Sequence, residues 1–457
     1  MLRVDAGRIG NRYCDGLNRR SFLQVGMAGM GSLGVADLLQ AKSVSRAARK
    51  DTSVILIWLD GGPSHIDTYD MKPAAPTEYR GIWSPVATNV PGIEITELFP
   101  HQAKIADKFS VIRSMHHDNG DHFTGGHYML TGKGGASGAE NSPKHPFFGA
   151  AAARMTGPRH PAMPAHAAVP YAMSIGIRPG YFGAAYVGKE FDPFETGGDP
   201  NAANFKVQNL APLPTLDAAR LQNRRSLLST FDNMRREVDA SGMLSAVDKF
   251  QAQAYELCTG ARAIEAFDIS KESDRTRERY GRHSWAQSTL LARRLVEAGS
   301  TFVTVHCGGW DHHWDLQSGY HRVLPVIDRM VAALVSDLDE RGLLDKTLVC
   351  MCGEFGRTPK MNDGGNGGPP LSQGTPGRDH WGNAMSIFMA GGGVKGGRMI
   401  GTTDARGERP KDHPLEPGDL HATIFDILGV DRHLAFNDFR GRPTAIIEKG
   451  DVIRELF

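Results

Sequence analysis

The sequence predicts a three-layer α/β/α sandwich on a mainly parallel sheet. Three observations predict it. Apolar runs of strand length alternate with segments of helical periodicity, the pattern of βαβ units. The strand runs are apolar nearly throughout, as expected of strands covered on both faces. Several of them also end in glycine followed by a carboxylate or imidazole, at the strand end where open α/β sheets bind ligands.

The first 48 residues form an expected leader and linker. Arg19-Arg20-Ser21-Phe22-Leu23 precedes a weakly apolar, Gly- and Ala-rich stretch from Val25 to Leu39. Paired arginines before such a stretch read as a twin-arginine export signal. The stretch is too short and Gly-rich for a stable membrane span, which needs about 20 apolar residues. Cleavage is expected between Ala41 and Ala48, with the mature fold beginning near Asp51. The expected location is therefore periplasmic or otherwise extracytoplasmic, and the twin-arginine export machinery is an expected partner.

The first strand is Ser53–Leu59, SVILIWL, followed by Asp60-Gly61-Gly62. Residues 70–100 are Pro-rich and irregular. Phe109–Met115 reads as a second strand. It runs into a segment with four histidines and two aspartates between His116 and His127. Asp121–Leu130 reads as a helix whose N-terminus faces the strand ends, where backbone N–H groups favour anions. Residues 132–217 carry little periodicity and much Gly, Pro and Ala. They read as a loop-rich insertion or cap, since structureless stretches of that length are usually functional.

Helical periodicity returns over 216–238, 244–267 and His283–Ala298, the last stopped by Gly299. Thr301–Val305 is the next strand, and Gly308-Gly309 releases the chain into Trp310-Asp311-His312-His313. A carboxylate and an imidazole two apart can share a metal ion. Leu316–Arg341 is a long amphipathic helix. Thr347–Cys352 is a strand ending in Gly353-Glu354-Phe355-Gly356-Arg357. Gly377-Arg378-Asp379-His380-Trp381-Gly382 leads into a strand over 384–390, and Asp419–Leu428 is a helix closed by Gly429. The α/β domain is thus expected to span 51–435, with 436–457 as a C-terminal tail.

Composition limits the function. With 457 residues, 40% of them hydrophobic, the chain can bury a sizeable core. A net charge of +1 argues against a dedicated nucleic-acid binder. The five cysteines, at 14, 258, 307, 350 and 352, have no CxxC spacing, so no zinc knuckle or disulfide framework is legible. The chemistry falls to Asp60, Asp311, His313, Glu354 and His380, each expected just past a strand and so at one edge of the sheet. Carboxylates with imidazoles suit one or two divalent ions, zinc, manganese or iron over calcium, and such ions can polarise an ester oxygen.

The phrases LDGGPSHIDTYD, GGWDHH, GEFGRTP and GRDHWG, spread over nearly the whole chain, resemble those of the exported bacterial DUF1501 family. More remotely, the order of parts resembles the alkaline phosphatase–sulfatase superfamily, which implies an alkaline-phosphatase-like fold. Asp60 resembles that superfamily's first metal-binding Asp. Asp311 and His313 resemble its Asp-xxx-His pair with shorter spacing. Glu354 stands where it has an Asp, and His380-Trp381-Gly382 resembles its late His-Thr-Gly. The chain departs from it at Phe355, where a His or Asn ligand is usual. It departs again nine residues before Thr131, where a Ser, Thr or Cys nucleophile is usual and His122 stands. His122 would then be a metal ligand or the nucleophile, with Thr124 the nearest hydroxyl. No Cys-x-Pro-x-Arg phrase supports formylglycine chemistry. The resemblance implies an exported metal-dependent hydrolase of a small or glycan phosphate or sulfate ester. Its metal would be zinc or manganese on Asp60, His122, Asp311, His313, Glu354 and His380, with Arg357 on the substrate anion. The alternative is a non-catalytic exported metal- or ligand-binding protein on the same fold.

Overall fold

A computed structural model describes residues 51–134, 144–207, 210, 260–365 and 372–457. The expected export signal, the helix over 216–238 and most of that over 244–267 lie outside the described residues.

Eight strands form the main sheet. They are β1 (Ser53–Asp60), β2 (Phe109–Met115), β3 (His166–Val169), β4 (Phe194–Glu195), β5 (Phe302–Gly308), β6 (Thr347–Cys352), β7 (Met385–Ala390) and β8 (Arg398–Ile400). Their spatial order is β8-β2-β7-β6-β1-β5-β3-β4. β1 lies between β5 and β6 and is parallel to both, with Asp60 opposite Gly308 and Trp58 opposite Cys352. Only β7 runs against its neighbours, β2 and β6.

β1 shows how the sequence makes the layers. All eight residues are buried, and successive side chains point to opposite faces. Ile55, Ile57 and Leu59 enter the core under the helices Ser284–Ala298 and Leu316–Glu340. Val54, Leu56 and Trp58 enter the opposite core, under His122–Thr131, Phe148–Thr156 and Pro417–Leu428. Burying each large apolar side chain contributes about 1.5–3 kcal/mol, so a strand with two apolar faces is stable only between two helical layers. No helix among the described residues is long and apolar enough to cross a membrane.

Three features differ from the sequence expectations. The segment 132–217 is not only loop: it supplies the helix Phe148–Thr156, strands β3 and β4, and a turn that meets Asp60. The strand His-Ala-Ala-Val is too short and alanine-rich to register as a pattern, since alanine has little strand preference. The C-terminal residues do not trail away either. Ile453 and Leu456 are buried in the second core, and Lys395 N–H donates to the Leu456 carbonyl at 2.8 Å. Lastly, His380 precedes its strand instead of following it. Because β7 is antiparallel, its start lies at the edge where the parallel strands end, so His380 still reaches that edge.

Candidate metal centre

β1, β5 and β6 all deliver polar residues to the same sheet edge. Past β5, the chain turns sharply at Gly309, and Trp310 N–H donates to the Asp60 carbonyl at 3.2 Å. The turns after β1 and β5 touch: a Cβ on Gly61 would sit 2.7 Å from the Asp311 nitrogen. Glycine there allows Asp311 to approach the end of β1. The helix carrying His122 begins where it does because the Asp121 carboxylate caps the N–H groups of Phe123 and Thr124. That cap fixes His122 in the first turn, over the sheet edge.

Three imidazoles surround the Asp311 carboxylate. His313 Nε2 lies 2.9 Å and His380 Nε2 3.1 Å from Asp311 Oδ1. His122 Nε2 lies 3.3 Å from Oδ2 and, although buried, has no aligned hydrogen-bond partner. Ligand atoms of His122, Asp311 and His380 all lie within 4.8 Å of one another. His313 Nε2 and His380 Nε2 are 3.0 Å apart.

The far side of each ring is held. His122 Nδ1–H donates to Glu354 Oε1 at 2.6 Å, His313 Nδ1–H to Asp379 Oδ1 at 2.6 Å, and His380 Nδ1–H to the Gly120 carbonyl at 2.8 Å. A carboxylate or carbonyl only accepts, so in each neutral ring Nδ1 carries the hydrogen and Nε2 the lone pair. Two such lone pairs at 3.0 Å repel unless a proton or cation lies between them. Metal-binding imidazoles are typically held in this way. The donor set therefore fits a divalent metal ion.

The electrostatics agree with a cation-seeking site. Burial opposes charge on His122, but Asp311 and Glu354 outweigh it and push the imidazole up to about 9. Burial would raise the Asp311 carboxyl, but the three imidazoles and Arg357 hold it far below the usual carboxylate range. Asp311 and Asp379 raise His313 against its partial burial. Burial raises Glu354, with His122 opposing it.

The structure thus brings His122, Asp311, His313 and His380 together. The other expected site residues have their polar atoms engaged by other partners, Glu354 and Arg357 directly beside the cluster. The Asp60 carboxylate accepts from Ser174 Oγ at 2.6 Å, Ile175 N–H at 2.7 Å and His306 Nε2 at 3.1 Å. These bonds hold it below its ordinary range despite burial. Glu354 sits one layer behind His122, where both of its oxygens also accept Gly61 N–H, at 2.9 and 3.1 Å. Arg357 is wholly buried beneath Asp311. It donates to the carbonyls of Gly61, Gly62 and Arg378 and to Asp311 Oδ1 at 2.6 Å, so it binds loops together instead of facing an open anion site. The Thr124 hydroxyl turns back to the Asp121 carbonyl at 3.3 Å.

Sequence reasoning missed Asp379, Ser174 and His306. Asp379 adjoins His380 in the phrase GRDHWG, and an acceptor beside a candidate imidazole ligand was its available signal. His306 is the penultimate residue but one of β5, and Ser174 lies in a segment without periodicity; neither carried one.

A profile of the family described as "Protein of unknown function (DUF1501)" matches residues 51–457. No curated protein matches the chain in sequence. Among solved structures, the chain is similar to the alkaline phosphatase from the Antarctic bacterium TAB5, at 12% identity and TM-score 0.36, covering 82% of this chain and 98% of that one. It is similar to the PsFucS1 sulfatase from Pseudoalteromonas sp., at 12% identity and TM-score 0.38, covering 92% and 79%. It is also similar to the phosphonate monoester hydrolase of Agrobacterium radiobacter, at 10% identity and TM-score 0.37, covering 89% and 77%. The family profile spans the α/β domain from just before its first strand to the last residue, and the chain belongs to the DUF1501 family.

Proposed function

We propose that this chain is an exported metal-dependent hydrolase of a phosphate or sulfate ester carried by a small molecule or glycan. The observation that supports it best is the pair of imidazole nitrogens, His313 Nε2 and His380 Nε2, 3.0 Å apart beside Asp311. A bound divalent ion would polarise an ester oxygen and offset the charge that develops on it. The chain's own residues do the rest. Asp311, His122, His313 and His380 bind the ion, Glu354 and Asp379 orient imidazoles, and Arg357 fixes the Asp311 loop. His122 is the side chain nearest the expected position of attack, as a ligand beside an attacking water. Arg19-Arg20 supports export through the twin-arginine machinery, with residues 1–48 removed or left as a linker.

The second reading is an exported metal-binding protein without turnover. It is favoured by the engagement of the candidate hydroxyl, Thr124, with the Asp121 carbonyl.

Elemental analysis of protein recovered after export, with Asp311→Ala as control, tests the metal. One or two equivalents of zinc or manganese, lost in the variant, together with hydrolysis of aryl phosphates or sulfates, support the hydrolase. Metal without hydrolysis supports the binding protein. Folded wild-type protein with no more metal than Asp311→Ala overturns both.

A further inference from the structure

We infer that the centre is mononuclear, with one divalent ion on His122, His313, His380 and Asp311 and with Asp60 kept from it by the turn at Ser174–Ile175. This rests on the metal-dependent reading above and deepens it by setting the number of ions and the ligand set.

Asp60 is expected from the sequence to be a metal ligand, but three hydrogen bonds engage both of its oxygens. Oδ1 accepts the Ser174 hydroxyl, and Oδ2 accepts both the Ile175 N–H and His306 Nε2. The side chain is buried, with 2% exposure. The turn that closes over it is built for that contact. Ser174 N–H and Ile177 N–H each donate to the other residue's carbonyl, at 2.9 and 3.0 Å, which pinches the turn shut. Ile175 sits at φ +44°, a region that β-branched residues avoid. That conformation aims its N–H at Asp60, and the bond to a buried carboxylate holds it there.

Glu354, the other carboxylate at this edge, is equally occupied. Both oxygens accept Gly61 N–H, and Oε1 also accepts His122 Nδ1–H. It has no exposure and serves as the acceptor that orients His122. By contrast, Asp311 is about a third exposed and His313 and His380 about a fifth, so the imidazole–Asp311 cluster is the part open to a ligand. Three nitrogens and one carboxylate make a ligand set that needs no contribution from Asp60.

The test is titration of chelator-treated protein, as recovered after export, with Co²⁺, read by visible absorption and by elemental count. Wild type is expected to take one equivalent. Asp60→Asn is expected to take one equivalent with affinity within about threefold of wild type. Asp311→Asn and His313→Ala are expected to lose at least 100-fold in affinity. Asp379→Asn keeps one equivalent with affinity reduced about 10–100-fold, as for other carboxylates that hold a ligating imidazole. Two equivalents in wild type overturn the proposal whether or not Asp60→Asn folds, and loss of one of them in Asp60→Asn would name Asp60 as a ligand. No Co²⁺ in any folded protein overturns the metal-dependent reading itself, an outcome distinct from binding two.

Discussion

Glu354 Oε1 accepts the His122 Nδ1–H at 2.6 Å while the same carboxylate receives Gly61 N–H with both oxygens. One buried side chain thereby ties the end of β6 to the turn after β1 and to the helix carrying His122. Its value lies in the donors it satisfies. Without it, a buried amide and a buried imidazole N–H would both lack acceptors.

Glu354→Ala should therefore destabilise the fold by about 2–6 kcal/mol, from two orphaned buried donors at about 1–3 kcal/mol each. Glu354→Gln keeps an acceptor oxygen and should recover more than half of that loss. Chemical denaturation of both variants checks it. Equal stability of Ala and Gln variants would mean that the carboxylate's hydrogen bonds do not hold this edge together.

Much of the edge was legible because strand ends and chemistry coincide in the sequence. The nearly all-apolar SVILIWL run placed Asp60 at a strand end, and the Gly-Gly break after Thr301–Val305 placed Asp311 and His313. What was not legible depends on long-range partners. Nothing near Glu354 in sequence distinguishes a ligand from an acceptor that holds a ligand; the difference is made by Gly61 and His122, 293 and 232 residues away. Asp60 reads as a ligand until Ser174, 114 residues on, takes its oxygen. His380 reaches the site because β7 is antiparallel, and strand direction is set by pairing and not by local pattern.

Arg357 separates a positioning role from an anion-binding one. Its guanidinium joins the carbonyls of Gly61, Gly62 and Arg378 to Asp311. Lysine cannot reproduce that planar fork. Arg357→Lys should lower stability by about 2–4 kcal/mol, in the range for breaking a buried charged network, and should weaken metal binding with it. A variant with unchanged melting and unchanged metal affinity, but weakened substrate binding, would instead make Arg357 a direct contact to the ester.

Arg19 and Arg20 carry the export proposal. Replacing both with lysine keeps the charge but removes the paired guanidinium groups that the motif reading depends on. The expected outcome is retention of the protein in the cytoplasm, measured by cell fractionation and immunoblotting. Undiminished export of the double variant would show that the pair is not the address.

Two histidines outside the metal cluster predict how the fold responds to acid. His421 Nε2–H donates to the Met129 carbonyl at 2.8 Å, and its ring packs 4.4 Å from that of Phe148. His166 Nδ1–H donates to the Phe191 carbonyl at 3.1 Å. Both are buried, and burial pushes each imidazole down to about 4. In the unfolded chain the ordinary value is about 6.5, so between those values the unfolded state binds protons that the folded state refuses. Their contribution is complete above about pH 6.5 and declines as the pH falls towards 4, by up to about 3 kcal/mol for each group at 1.36 kcal/mol per pH unit. Urea denaturation at pH 7, 5.5 and 4.5 should record that decline. In His421→Gln an amide can still donate to Met129 O, but it has no proton to gain. That variant should start less stable at pH 7 and lose less than wild type on acidification. A loss parallel to wild type would place the acid sensitivity elsewhere.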